Sequence, residues 1–190
     1  MKPQHWRTTD GTRLALRPML KSDAPLVKES LGKLSSESRR NRFFSAVREF
    51  SDETVHRLTH FDTATEFAVV VVRPEKGKEI PLAGGRFVHC DDGQRCEFSL
   101  LIGDPWQGQR IGHRILRTLI REAVRRGLRQ MEGHVLADNR AMLKLARAHG
   151  FMIDDNSEEA GVKLVTLDLP SLQPRVWPPL FRKLLKFGRK

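Results

Sequence analysis

EFSLLIGDPWQGQRIGHRILRTLI, residues Glu97 to Ile120, decides the fold of this 190-residue chain. An apolar strand ending near Ile102 runs into a Gly-containing turn. From Ile111 the apolar residues Ile111, Ile115, Leu116, Leu119, Ile120, Ala123 and Val124 recur three, four and five apart and form one broad helix face. A strand that exits directly into a helix leaves free backbone N–H groups and the positive end of a helix dipole beside its end. That arrangement suits a phosphate group. Gly108 can take backbone angles closed to other residues, and Gly112 leaves the first helical turn open to close approach. The plainer reading of the same residues is a turn whose glycines serve only for bending.

The rest of the chain arranges itself around this unit. Upstream, Thr12 to Arg17 alternates like a strand, and Ser22-Asp23 with Pro25 starts a helix running to about Leu34. Ser35 to Ser38 starts a second helix, and Ser51-Asp52-Glu53 caps a third through Leu58. EFAVVVVR, Glu66 to Arg73, is a β-branched run typical of a buried strand. Ile80 to Cys90 is the next strand, and Asp92-Gly93 turns it into Gln94–Ile102. Downstream, Gly127 ends the long helix and Leu128 to Leu136 is a strand. NRAMLKLARAHGF, Asn139 to Phe151, is a helix with its stop, and Val162 to Leu169 is a last strand.

Charge and composition set outer bounds. The formal charge of +11 favours anionic ligands or surfaces without bearing on the fold. From Pro170 onward there are six Lys and Arg and no acid, which leaves +5 for residues 1–169. The expected organisation is therefore one domain over residues 1–169 and a basic, Pro-containing tail over 170–190. Leu180 to Lys190 reads as a basic amphipathic helix, for docking on its own domain or another subunit, or for an anionic surface such as a membrane or nucleic acid. Cys90 and Cys96 read as reduced thiols, no apolar leader follows Met1-Lys2, and no stretch spans a bilayer. Together these point to the cytoplasm.

With those residues in place, Gln107-Gly108-Gln109-Arg110-Ile111-Gly112 resembles the acetyl-CoA-binding motif of GNAT-superfamily acyltransferases: Gln or Arg, two residues, Gly, one residue, then Gly or Ala. Gln107 and Gly112 match; Arg110 stands where the family usually has its middle glycine. Asn139 to Phe151 resembles the strand–helix motif that follows. LSSESRRNRFF, Leu34 to Phe44, is similar to the matching region of bacterial protein-lysine acetyltransferases of this superfamily. The resemblance covers roughly Arg13 to Leu169 and is specific from about Glu97 to Phe151.

That resemblance implies a mixed α/β (α+β) domain with a mostly antiparallel twisted sheet flanked by helices. A splay between the Glu97 strand and the Leu128–Leu136 strand would admit acetyl-CoA. It implies cofactor-binding roles for Leu101, Ile102, Gln107, Gly108, Gln109, Arg110, Ile111, Gly112, His113 and Asn139, and no metal. It implies Glu97 as general base, because an ammonium has no lone pair for attack on a thioester; the plain alternative is a carboxylate on a solvated strand face. Asn139 can equally cap its helix, with Asp138 as competitor. Many relatives carry a tyrosine seven residues after that asparagine. Here the position is Ala146, and the chain has no tyrosine. The implied activity is acetyl transfer from acetyl-CoA to a primary amine, a protein lysine being one candidate acceptor. The alternatives are a small-molecule amine N-acetyltransferase and a catalytically degenerate acyl-CoA-sensing or anionic-surface-binding protein, as monomer or homodimer. Arg114, Arg117, Arg121 and Arg125 read as a solvated basic helix face.

Overall fold

The computed structural model describes residues 1–44, 49–155 and 161–169. Its strands are β1 (Gln4–Arg7), β2 (Arg13–Pro18), β3 (Glu66–Glu75), β4 (Lys78–His89), β5 (Arg95–Ile102), β6 (Gln130–Leu136), β7 (Met152–Asp154) and β8 (Val162–Asp168). The helices are α1 (Ala24–Gly32), α2 (Ser36–Phe43), α3 (Asp52–Thr59), α4 (Ile111–Arg125) and α5 (Arg140–Ala148). The strands form one sheet in the order β1-β2-β3-β4-β5-β6-β8-β7. All neighbours run antiparallel except β5 and β6, which are parallel.

The β-branched run of β3 lies at the centre, and Ala68 to Val72 are buried on both faces, as expected for a strand covered on two sides. α4 lies on one face. Its Ile111, Ile115, Leu116 and Leu119 join Phe87, Cys96 and Phe98 of the sheet in the main core. Helices α1 to α3 cover the other face with a smaller core built on Val27, Leu31, Phe50 and Val55. Ser35 and Ser51 cap α2 and α3 by accepting from the N–H of Ser38 and Thr54. Asp23 is not a side-chain cap: its carboxylate accepts twice from Arg17 and once from the N–H of Leu20, all at 2.8 Å. α1 therefore starts at Ala24 and stops at Gly32, two residues short of the expected end.

The feature that positions the site is where β5 and β6 part. They share rungs only from Arg95–Gln130 to Glu97–Glu132. Beyond that, β5 stays paired with β4 and β6 with β8, so each keeps one open edge facing the other. Phe98 and Gly133 mark the fork. A Cβ on Gly133 would lie 2.7 Å from the Phe98 ring, so only glycine lets that ring settle where the strands diverge. Because β5 and β6 are parallel and each feeds a helix, the N-termini of α4 and α5 lie at the same end of the fork.

Residues 170–190, including the expected tail helix, lie outside the described residues. No helix among the described residues is long and apolar enough to cross a membrane.

Candidate active site

Glu97 is the last β5 residue with a rung to β6, and its side chain is 53% exposed at the base of the fork. Its Oε1 lies 3.4 Å from Nδ1 of His134. Alternation puts Glu97, Ser99 and Leu101 on the face covered by α1 to α3, and Phe98, Leu100 and Ile102 on the α4 face. The same alternation sorts the backbone donors. Gly103 N–H donates to Leu82 O at 2.8 Å and Cys90 N–H to Arg95 O at 2.9 Å. Odd-numbered β5 residues thus bond to β4, and the N–H groups of Leu100 and Ile102 face the open edge. Of the two expected backbone donors, only the Ile102 N–H faces the open edge; that of Leu101 does not. Its N–H belongs to the β4 ladder.

The turn between β5 and α4 has one departure from ordinary backbone. Gly108 has φ +73°, and Arg110, the residue before α4, has φ +61°. Arg110 thus holds the left-handed conformation that glycine adopts most readily. This explains in physical terms the residue type it replaces, and the turn keeps its form. Among the described residues, no acceptor meets the backbone N–H groups of Gly108 through His113. They are the orphan donors of a helix start.

Gly112 has a structural reason other than ligand approach. It is buried, and a Cβ there would lie 3.0 Å from Leu145 and 3.2 Å from Ile102. Gly112 lets α4 pack against α5 and β5. Ile111 is likewise buried and presents only its backbone. Gln109 donates to Pro105 O at 3.2 Å. Gln107 turns inward: its Nε2 donates to Ser38 Oγ at 3.0 Å and to Ile102 O at 3.3 Å.

Those bonds reveal residues that motif reasoning missed. Asp104 accepts from Ser35 N–H (2.9 Å), Ser35 Oγ (2.6 Å) and Ser38 Oγ (2.8 Å). Burial works to raise the Asp104 pKa, but these donors outweigh it and hold the carboxyl below its ordinary value. The start of α2 is thereby tied to the turn that opens α4. No periodicity announces such a link across 69 residues.

Asn139 caps α5, accepting from Met142 N–H at 3.0 Å. Asp138 does not compete, because it pairs with Arg40 of α2 at 2.8 Å. His113, exposed in the first turn of α4, has its Nδ1 3.0 Å from Nε2 of the buried His149. Burial first, then His113 and Arg117, pushes the His149 pKa down to about 4. The basic face of α4 is less solvated than expected. Arg114, Arg117 and Arg121 are half-buried, and burial lowers the pKa of each. Arg114 lies 4.6 Å over the Trp6 ring. Cys96 is fully buried, which pushes its thiol up to about 12.

Residues 13–152 match the family model described as an acetyltransferase (GNAT) domain. The chain is 31% identical to an acetyltransferase of Pseudomonas aeruginosa over 150 residues, covering 78% of this chain and 81% of that protein. It is 30% identical to the acetyltransferase Pat of Mycolicibacterium smegmatis over 170 residues, 89% of this chain but only 50% of that protein. Among solved structures, the GNAT domain of PAT from S. lividans superposes with a TM-score of 0.78 at 25% identity, covering 88% of this chain and 97% of that domain. The open, mostly antiparallel sheet with one parallel fork, the helix-start donors beside it and these matches agree, and the chain belongs to the GNAT acetyltransferase family.

Proposed function

We propose that the chain moves the acetyl group of acetyl-CoA to a primary amine by direct attack, with Glu97 as general base. The observation that carries this reading is the parting of β5 and β6 immediately after Glu97. It sets a carboxylate at the base of a cleft whose far end carries two helix starts.

The phosphates sit against the orphan N–H groups from Gly108 to His113, with the α4 dipole behind them. The acyl arm lies along the fork. There the N–H groups of Leu100 and Ile102 polarise the thioester carbonyl as negative charge develops on its oxygen. The amine approaches on the opposite face, where Glu97 takes its proton. Nitrogen then bonds to the carbonyl carbon, the carbon–sulfur bond breaks, and coenzyme A leaves as thiolate. With no tyrosine in the chain, the second proton that the nitrogen sheds on becoming an amide reaches the thiolate through water. Holding both reactants in line supplies much of the acceleration. His134, at 3.4 Å from Glu97, helps to orient the carboxylate.

A second reading of the acceptor is a protein lysine, supported by the likeness of residues 34–44 to that region of bacterial protein-lysine acetyltransferases. A degenerate site draws no support from Arg110, whose backbone holds the conformation the turn requires. The test is thiol release from acetyl-CoA in the presence of amine and lysine-peptide panels, with the product identified by mass. Acetyl-CoA binding without release from any amine would favour a sensor.

A further inference from the structure

On the face of β5 that carries Glu97, a cavity of about 280 Å³ lies between α1–α3 and the sheet. Its volume sits at the small end for ligand sites, the scale of one small molecule. Its floor is apolar, with Ala68, Val70, Gly84 and Leu101, while Ser99 leads from it toward Glu97. Two residues along a strand span about 7 Å, so Glu97 stands just beyond the Ser99 end.

The charge on the walls is one-sided. Lys33, Arg42, Arg73 and Arg86 line the cavity, with Asp104 as the single carboxylate. Three of these cations are matched. Lys33 pairs with Glu29 at 2.6 Å, Arg73 with Glu75, and Arg86 with Glu66 and the carbonyl of Arg57. Asp104 is held by Ser35 and Ser38. Arg42 is different. Among the described residues it has no carboxylate within ion-pair distance; its guanidinium lies 5.0 Å over the ring of Phe43. Burial, then the field of Arg86, pushes its pKa down to about 10, while Glu97 opposes the shift. Arg42 is half-buried, and a guanidinium that has lost part of its water gains from an anion that completes it. Guanidinium also pairs with carboxylates in a two-pronged geometry.

We infer that the acceptor is an apolar α-amino acid whose carboxylate pairs with Arg42, whose side chain fills the cavity and whose amine is delivered to Glu97. The juxtaposition of one unmatched cation and one carboxylate at the end of an apolar pocket matches the opposite charges that an α-amino acid carries on adjacent atoms. Arg42 is in this account a specificity residue of the acetyl transfer proposed above, and the inference rests on that reading.

The experiment measures kcat/KM with phenylalanine and leucine and with their amides, for wild type, Arg42→Met and Arg42→Lys, alongside acetyl-CoA affinity by calorimetry. Comparing acid-to-amide ratios between proteins cancels the different basicities of the two amines. Arg42→Met is expected to lower that ratio at least about tenfold, through KM for the acid, as for loss of a charge-assisted hydrogen bond. Arg42→Lys should retain part of the preference. Acetyl-CoA affinity should stay unchanged in both. In the wild type, 3-phenylpropionate should compete with the amino acid, and this result does not depend on any variant folding. An unchanged ratio, no competition, or turnover confined to lysine peptides overturns the inference while leaving the acetyl-transfer reading intact. Failure of the wild type to bind acetyl-CoA overturns that reading itself.

Discussion

Ser38 and Gln107 meet across 69 residues of sequence: Gln107 Nε2 donates to Ser38 Oγ at 3.0 Å, while Ser38 Oγ donates to Asp104 at 2.8 Å. Ser38 is buried, whereas Asp104 is half-buried and Gln107 exposed. The bridge ties the helix that roofs the cavity to the turn that opens α4, and thus couples the two halves of the proposed site. Ser38→Ala should cost about 1 kcal/mol of stability, the usual net contribution of a lost hydrogen bond. It should also weaken acetyl-CoA several-fold, because Gln107 no longer holds the turn. Urea unfolding and calorimetry check both; unchanged cofactor affinity would uncouple the two halves.

Arg110→Gly should stabilise the fold by roughly 1 kcal/mol, since a non-glycine residue at φ +61° carries a steric cost. A raised urea midpoint is the expected result. Acetyl-CoA affinity in the same variant reports on the side chain. A loss confined to ligands with phosphates assigns the guanidinium to them, and an unchanged value assigns it to solvent.

Gly112→Val should lose about 1–3 kcal/mol through overpacking against Leu145 and Ile102. The loss should appear in the absence of acetyl-CoA. A variant as stable as wild type, yet unable to bind the cofactor, would return Gly112 to the role of ligand clearance.

His149 makes stability depend on acidity. Its folded pKa, about 4, lies below its ordinary 6.5, so the unfolded chain binds more protons between those values. Stability is fully present above pH 6.5, falls as pH drops, and levels off below about 4. The contribution lost by pH 5 is roughly 2 kcal/mol. His149→Phe should flatten the difference in unfolding free energy between pH 7.5 and pH 5. Identical slopes in the two proteins would remove His149 from the account.

Much of the architecture was legible because it follows from periodicity and punctuation. The α4 stripe, the β3 run and the Asp92-Gly93 turn each carry a local signal that the tertiary structure respects. β1 and β7 escaped notice because four and three residues at the sheet's two edges are too short to express an alternation. The fork itself was reachable only through resemblance, since strand adjacency is set by packing at a distance. In the site, the turn before α4 and the Asn139 cap were legible from order and motif, while a base role for Glu97 comes from the resemblance alone. The Ser38–Asp104–Gln107 bridge, the nearness of His134 to Glu97 and, among the described residues, the lack of a carboxylate beside Arg42 were not legible, because each depends on which segments the fold brings together. The packing of Gly112 against Leu145 and Ile102 was hidden for the same cause: a glycine needed by a neighbouring helix looks identical, in sequence, to one needed by a ligand.

The most direct test of the central claim is Glu97→Gln, assayed by thiol release from acetyl-CoA with a turned-over amine across a range of pH. Acetyl-CoA affinity should match the wild type. Transfer near neutral pH should slow by about 10²–10⁴-fold, the usual contribution of a general base. The deficit should shrink at high pH, where the amine sheds its proton unaided. Turnover equal to wild type at neutral pH would contradict the account and leave Glu97 as a surface carboxylate beside His134.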